Sequence, residues 1–302
     1  MTRTLWDRAA SFRRCQRVIA WWLSVLCPAM GWAQAPGPRA KPVVVLERFD
    51  TRHAASFSAL PRHLTEVSGL AVAPDGRVFA HNDERGIVSE IDPCTGRVVK
   101  SFSLGAPALH ADLEGLAIVG DQFFLITSTG ALLQFKEGAN NASVPFTTTD
   151  TGLGRACELE GLAYEPADRS LLVGCKQPRQ ATRHPSLTLM RWSLERRAPA
   201  SPDRITVPLA SLGTTGSNGF RTSAVERDEL TGHYLVIAGP ERLLAEVTSA
   251  GEVLATIRLR HEWHRQPEGI TLLGDSVLVI ADEGGNGRGT VTCYRRAGKS
   301  RR

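Results

Sequence analysis

The sequence predicts an all-β fold built from five copies of one strand–turn–strand unit. A pentapeptide of the form acid-x-acid/Ser-Gly-Leu/Ile marks the start of each copy, at residues 66–70, 112–116, 158–162 and 266–270 (where Gln266 replaces the first acid), with a degraded copy at 221–225. The fourth positions of successive copies are 46, 46, 63 and 45 residues apart. A period of this size is typical of propellers and solenoids. Each copy continues as an apolar run, a turn and a second run, and no helical periodicity intervenes, so we expect a β-propeller.

The copies predict one propeller of five four-stranded blades within residues 43–296. The 63-residue step holds a single blade, and its extra length falls in two polar inserts at 177–185 and 195–203. The last copy supplies only three strands, so we expect an N-terminal strand at 43–49 to complete the ring by pairing with 290–295. A six-bladed ring is the alternative, but it would need residues that the chain lacks.

The two ends of the chain do not belong to the predicted propeller. Residues 1–33 show the charged, apolar and small-residue order of a secretory signal peptide, with cleavage expected after Ala33. The apolar run at 18–30 is shorter than the roughly 20 residues that a membrane span needs. We therefore expect a periplasmic or secreted protein with no transmembrane segment after cleavage. Residues 34–42 are predicted to be a linker, and residues 297–302 a basic tail.

Charge excludes one class of partner. The chain carries 36 Lys and Arg against 31 Asp and Glu, but five of those Arg and one Asp lie in the predicted signal peptide. The remainder is close to neutral, and it shows no basic face with interleaved aromatic residues. We therefore expect no nucleic-acid partner.

Four cysteines remain after the predicted cleavage, and none of them forms a Cys-x-x-Cys pair. Cys157 lies just before the first strand of blade three, and Cys175 ends the second. An antiparallel turn at 166–169 would bring both to the same end of the blade, so we predict a Cys157–Cys175 disulfide. We predict that Cys94, at the opposite end of blade one, and Cys293, within blade five, are unpaired.

The pentapeptides also predict the functional site. Side chains alternate along a strand, so the first and third positions of each copy should face the central channel. Carboxylates that crowd together either acquire raised pKa values or bind a cation, and oxygen ligands from several strands suit calcium. We therefore predict a calcium site at one channel mouth. Its candidate ligands come from the pentapeptides, with two aspartates at the ends of second strands helping: Glu66, Asp112, Glu114, Glu160, Glu268, Asp83 and Asp282.

Four further residues are predicted to contact a ligand at the same mouth. Lys176 and Arg221 are the local counter-charges, Glu158 belongs to the third pentapeptide, and His81 ends a second strand. The alternative is a solvated channel whose carboxylates accept hydrogen bonds from neighbouring backbone N–H groups, with no ligand at all. The glycine-rich run 283–289 precedes no helix, so it indicates a connection between strands rather than a phosphate loop.

The repeated [Glu/Asp]-x-[Glu/Ser]-Gly-[Leu/Ile] pattern, with Asn82-Asp83-Glu84 and Asp282-Glu283, resembles the SdiA-regulated family. It is also similar to the domain described as the esterase-like activity of phytase. The likeness covers roughly residues 43–296, and Glu66, Ser68, Glu114, Glu160 and Glu268 match the family's motif positions. It implies an exported β-propeller that can bind calcium, without implying a particular enzymatic activity. The copy at 221–225 departs from the motif by losing both its acid and its glycine.

Two classes of function follow. The first is a propeller that binds a small molecule or an envelope protein on one face, without catalysis. The second is a calcium-dependent ester, lactone or phosphoester hydrolase. The chain has no Gly-x-Ser-x-Gly elbow and no recognisable nucleophile–base pair, which favours the binding function.

Overall fold

The computed structural model describes residues 42–180, 183–213 and 219–298, apart from the side chain of Pro202. The predicted signal peptide, most of the linker and the last four residues lie outside this part. The described chain forms a five-bladed β-propeller, as the repeat predicted. No helix within these ranges is long and apolar enough to cross a membrane.

The strands are numbered along the chain, beginning with β1 (Ser56–Ala59). Blade one contains β2 (Val67–Val72), β3 (Val78–Asn82), β4 (Ile87–Asp92) and β5 (Arg97–Leu104). Blade two contains β6 (Leu113–Val119), β7 (Gln122–Thr127) and β8 (Ala131–Lys136); the short β9 (Ser143–Val144) then pairs with β5, and β10 (Phe146–Asp150) completes the blade. Blade three contains β11 (Cys157–Glu165), β12 (Ser170–Pro178), β13 (Ser186–Ser193) and β14 (Ala198–Pro208). Blade four contains β15 (Thr222–Arg227), β16 (Tyr234–Ala238), β17 (Leu243–Val247) and β18 (Val253–Arg258). Blade five contains β19 (Pro267–Leu273), β20 (Val277–Asp282), β21 (Thr290–Arg295) and the N-terminal β1. Short 3-10 helices occupy Leu46–Arg48, Arg62–Leu64, Leu153–Arg155 and Leu209–Leu212.

The core is divided among the blade interfaces. Five apolar clusters are present, and each joins side chains of two adjacent blades. Between blades one and two, for example, the rings of Phe79 and Phe123 meet edge to face with centroids 5.0 Å apart. This packing follows from burying both faces of each sheet, since every blade is covered by the blade before it and the blade after it.

The inner strands β2, β6, β11, β15 and β19 line the channel, and the pentapeptide glycines set how closely they approach. A Cβ atom on Gly115 would lie 2.7 Å from the backbone nitrogen of Leu162 in the next blade. A Cβ on Gly269 would lie 2.9 Å from the Leu70 side chain across the ring closure. A side chain at either position would force the strands apart, so these two glycines have a structural role.

The predicted closing strand at 43–49 is wrong, although an N-terminal strand does close the ring. β1 pairs antiparallel with β21, from Ser56 opposite Cys293 to Ala59 opposite Thr290. The backbone N–H groups of Val45 and Leu46 instead donate to the buried Glu246 carboxylate, at 2.8 and 3.0 Å, and the chain there turns into a 3-10 helix. Its apolar side chains pack between blades four and five rather than in a sheet.

The two inserts of blade three are also shorter than predicted. β12 continues to Pro178, and β14 begins at Ala198, so parts of both inserts extend the hairpins of the blade. Pairing explains the difference, because Cys157 at the start of β11 lies opposite Pro178. The polar composition of the two inserts therefore did not prevent strand formation in parts of them.

The predicted Cys157–Cys175 disulfide is confirmed. A disulfide joins Cys157 at the start of β11 to Cys175 in β12, with Cα atoms 5.7 Å apart. Cys94 and Cys293 are free thiols in the structure. The covalent link holds together the two innermost strands of blade three at the end where the channel acids lie.

The closure predicts how two truncations will differ. A chain beginning at residue 51 keeps β1 but loses the two bonds to Glu246, so it should fold with a lowered melting temperature. A chain beginning at residue 61 also loses β1 and leaves β21 as an unpaired edge, so it should fail to melt cooperatively or should aggregate. Thermal denaturation against the chain beginning at residue 42 measures both. Similar curves for the two truncations would contradict the assignment of β1 as the closing strand.

The disulfide predicts a separate loss of stability. Replacing both Cys157 and Cys175 with Ala should cost about 3 kcal/mol, because the bridge closes a short loop in the unfolded chain. For a domain of this size that is roughly 6–12 °C in melting temperature. Calorimetry of the wild type and the double variant under oxidising conditions tests this, and equal melting temperatures would refute it.

Candidate functional site: the acidic mouth of the channel

One mouth of the channel is lined by the third residues of the pentapeptides. These residues are carboxylates on three blades and serines on the other two: Ser68, Glu114, Glu160, Ser223 and Glu268. Glu114, Glu160 and Glu268 lie close enough for their charges to interact, and Lys176 interacts with all three. The structure thus brings together the core of the predicted site.

Lys176 is the cation of this group. It follows Cys175 in β12, and its Nζ lies 2.7 Å from Glu160 Oε2 and 3.7 Å from Glu158 Oε1. Burial lowers the Lys176 pKa, but Glu160, Glu114 and Glu158 outweigh it, so the pKa lies above its usual value. Burial raises the pKa of Glu160, with Glu114 adding to the effect and Lys176 opposing it. One ammonium group is therefore shared among several carboxyl groups.

Glu114 is a second buried carboxyl group of this cluster whose pKa is raised. Its side chain is 8% exposed, and the Ser68 hydroxyl donates to its Oε2 at 3.3 Å. Burial raises its pKa to about 8; Lys176 opposes this, and the neighbouring Asp112 and Glu268 increase it. At neutral pH this group is largely protonated, so it can donate as well as accept a hydrogen bond.

The acidic surface continues toward the ring closure. The Gln266 amide donates to Glu268 Oε1 at 2.9 Å and also contacts Glu283. Burial raises the pKa of Glu268 to about 7, while the bond from Gln266 opposes the shift. Beyond it, burial and Glu66 raise the pKa of Asp83 to about 6.

Glu66 lies in this outer part of the mouth. Burial raises its pKa, and so do the nearby charges of Glu84 and Glu283. Asp112 is exposed and accepts a bond from Ser128, while its charge acts on Glu114. Both residues therefore belong to the acidic mouth, at its rim rather than at its centre.

Three residues predicted for the site have other partners. Arg221 is bound to Glu241, which accepts from its backbone nitrogen and its Nε at 3.1 and 3.0 Å. Asp282 bonds the buried His264 at 2.7 Å and accepts from the Gln266 backbone at 3.1 Å.

His81 is the third. It is fully buried beneath Gly69, where a Cβ atom would lie 2.5 Å from its Nε2. Its Nδ1 bonds the Asn82 carbonyl at 3.1 Å. Burial lowers the His81 pKa to about 4, so the ring is neutral at pH 7.

A metal site was predicted here, and the donor atoms are of the type that calcium prefers. Among the described residues, however, no three His, Cys, Asp or Glu side chains are grouped so as to hold one metal ion. Lys176 occupies the position beside Glu160 that a cation would take. In this arrangement the cation beside the buried carboxyl group is therefore the Lys176 ammonium group.

The channel narrows below the acids and opens again on the opposite face. The waist has a volume of about 10 Å³ and is lined by Gly69, Gly115, Gly161 and Gly269. Beyond it lies a cavity of about 660 Å³ with walls of Leu, Ile, Val and Ala from the inner strands.

Glu226 was missed by the sequence analysis. It lines this second cavity, and burial raises its pKa to about 7, with the neighbouring Thr271 hydroxyl opposing the shift. A signal was present, because β15 carries an acid where β6 has Ala117 and β19 has Thr271.

The raised pKa values predict that stability falls as pH rises. A carboxyl group whose folded pKa exceeds its unfolded value of about 4.5 stabilises the fold fully below that value. This contribution is lost as pH rises through the folded pKa values of about 7 for Glu268 and about 8 for Glu114. We expect a loss on the order of 2–4 kcal/mol between pH 5 and pH 8.5. Urea denaturation at a series of pH values measures it.

Glu114→Gln imitates the protonated side chain, so it should flatten this pH dependence and leave the protein at least as stable as the wild type at pH 8.5. Glu195→Gln, on an exposed turn, is the matched control and should change neither curve. A Glu114→Gln protein that keeps the wild-type slope would contradict the assignment.

Comparisons with known proteins agree with this fold. No curated protein sequence matches the chain. The glutaminyl cyclase of Myxococcus xanthus superposes with a TM-score of 0.57 at 14% identity, over 82% of this chain and 97% of that one. A luciferin-regenerating enzyme gives 0.50 at 8% identity, over 81% and 95%. The aldose sugar dehydrogenase of Streptomyces coelicolor, in its PQQ-bound form, gives 0.48 at 11% identity, over 80% and 98%.

At these identities the glutaminyl cyclase and the luciferin-regenerating enzyme show a shared fold and nothing more. The family comparison is more specific, because the model of the SdiA-regulated family matches residues 52–286, which include all five pentapeptides. The protein whose channel these five copies line is therefore a member of the SdiA-regulated family.

Proposed function

We propose that the acidic mouth binds a ligand that carries a positive charge or several hydrogen-bond donors. The supporting observation is the convergence of Glu114, Glu160 and Glu268, from three blades, on the one ammonium group of Lys176. A cationic group placed among them would lower their pKa values and let them ionise. The ligand is a small molecule, or a side chain presented by an envelope protein.

Calcium is one cation to be tested at this mouth. Its oxygen donors are available, but a divalent ion beside Lys176 would meet twice the charge repulsion that a singly charged ammonium group would meet there. An organic ammonium group carries a single charge and can replace the Lys176 contact or lie beside it. We therefore rank an amine above calcium as the ligand.

We also propose that the protein works in the periplasm or outside the cell. The N-terminal 33 residues have the composition of a signal peptide, and the Cys157–Cys175 disulfide is a bond that persists in oxidising compartments. The buried position of both cysteines fits a structural disulfide rather than an exchangeable one.

Hydrolysis of an ester, lactone or phosphoester is the alternative function. It is supported by Glu114, whose pKa of about 8 suits a group that donates a proton to a leaving oxygen near neutral pH. The adjacent Ser68 hydroxyl donates to this same carboxyl group, which its raised pKa keeps largely protonated at pH 7 and therefore a poor base for activating the serine. Binding therefore has the stronger support.

Titration calorimetry with 1,4-diaminobutane and with calcium chloride tests the proposal. Binding should release protons at pH 7, because the bound cation lowers the pKa values of Glu114 and Glu268. The affinity should therefore rise between pH 6 and pH 8.5, and comparison of two buffers with different ionisation enthalpies counts the protons. A cation at about 100 times its dissociation constant should add about 2.7 kcal/mol of stability, or roughly 5–10 °C in melting temperature.

Glu114→Gln should weaken binding about tenfold and reduce proton release, and Glu195→Gln should do neither. If the melting curves in calcium and in chelator coincide, calcium is excluded as the ligand. The titration with 1,4-diaminobutane alone then tests the proposal. If neither cation binds, the mouth is a solvated ring of acids. Turnover of model esters or lactones that Glu114→Gln abolishes would favour the hydrolase instead.

A further inference from the structure

The two free cysteines meet at the place where the ring closes. In the pairing of β1 with β21, Ser56 lies opposite Cys293. Side chains alternate along a strand, so Ser58 points to the same face of blade five as Ser56. The Ser58 hydroxyl donates to the backbone carbonyl of Cys94 at 3.3 Å, which places the 92–96 turn of blade one on that face.

The side chains agree with this placement. Cys293 is fully buried in the apolar cluster between blades five and one, and the half-buried Cys94 packs against that cluster. Burial raises the pKa of the Cys293 thiol, and the adjoining Cys94 thiol raises it further. The two sulfur atoms are therefore neighbours, although 199 positions separate them in the sequence.

The turn that carries Cys94 is held in place by close packing. A Cβ atom on Gly96 would lie 2.9 Å from the Ala59 carbonyl oxygen and 3.3 Å from the Ser58 side chain. The Asp92 carboxylate accepts from the Cys94 backbone nitrogen at 3.1 Å within the same turn. The strands on both sides of the pair are fixed, so the two thiols cannot drift apart while the ring is closed.

We propose that Cys94 and Cys293 form a second disulfide, which joins blade one to blade five across the ring closure. The oxidant is a disulfide, either a small one such as glutathione disulfide or one on a protein. The Cys94 thiolate attacks it, forms a mixed disulfide and releases one thiol. The Cys293 thiolate then attacks the Cys94 sulfur and releases the second thiol. Two protein thiols are oxidised, and one donor disulfide is reduced to two thiols.

The geometry also sets when this reaction is fast. The raised pKa of Cys293 leaves little thiolate in the closed ring, and burial keeps the donor away from it. Cys94 is the more accessible thiol, so it reacts first. Oxidation should therefore be rapid during folding, before β1 seals the pair, and slow in a protein that has folded while reduced.

Thiol counting on the wild-type chain is the first test. The protein is refolded in a glutathione redox buffer, alkylated under denaturing conditions and mapped by mass spectrometry without reduction. In the mature chain, without Cys15 and Cys27 of the predicted signal peptide, we expect no free thiol and a peptide pair linked through Cys94 and Cys293. Both cysteines recovered in alkylated form would overturn the proposal, and this measurement needs no variant to fold.

A stability comparison gives an independent readout. In the Cys157→Ala/Cys175→Ala background, the proposed bridge is the one remaining disulfide among the described cysteines, so a reductant should lower the melting temperature by roughly 10 °C. Adding Cys94→Ala should remove that response while leaving the reduced protein about as stable as its parent. No response to reductant in the Cys157→Ala/Cys175→Ala protein would also overturn the proposal.

Discussion

The close approach of the inner strands at the four pentapeptide glycines determines most of what this molecule can do. With no side chain at Gly115, the backbone of β6 can lie against Leu162 of the next blade. That contact narrows the channel, and the residue just before each glycine must then share a small volume with its counterparts. Glu114 and Glu160 are buried as a consequence, and their raised pKa values follow from the burial. The glycine that lets the strands pack closely and the acid whose pKa is raised are thus adjacent residues of the same motif.

The acids do not form a symmetric ring, and the reason lies in the two blades with serine. Ser68 donates to Glu114, whereas Ser223 donates to the backbone carbonyl of Pro267 at 2.7 Å. The degraded fourth copy therefore contributes a link between blades four and five instead of a charge. Blades two, three and five supply the three central carboxyl groups. Lys176 of blade three lies beside Glu160 of the same blade, so the positive charge is not shared equally among the three.

Most features that follow from the repeat could be predicted from the sequence. Predictions failed where contact with a residue outside the repeat determined the local structure. Blade number, the channel acids and the Cys157–Cys175 bridge all follow from period and alternation. The apolar run at 43–49 has the composition of a strand, but Glu246 accepts its N–H groups from about 200 positions away. Arg221 was placed near the acids by its position in the repeat, yet Glu241 lies closer. Neither partner could be identified from the spacing of the repeat, because Glu246 is far from 43–49 in the sequence and Glu241 lies in the turn between β16 and β17, outside the pentapeptide.

The narrow waist has a consequence for how the two ends of the channel behave. Its volume of about 10 Å³ is no more than a single water molecule requires, so the waist has no room for a ligand between the two faces. Glu114 on one side and Glu226 on the other therefore titrate against different surroundings, although the same five strands carry both walls. The waist thus divides the channel into an acidic mouth on one face and an apolar cavity on the other. A ligand at the acidic mouth and a ligand in the apolar cavity can therefore differ in chemistry. Substitutions at one end of the channel need not change the shape of the other.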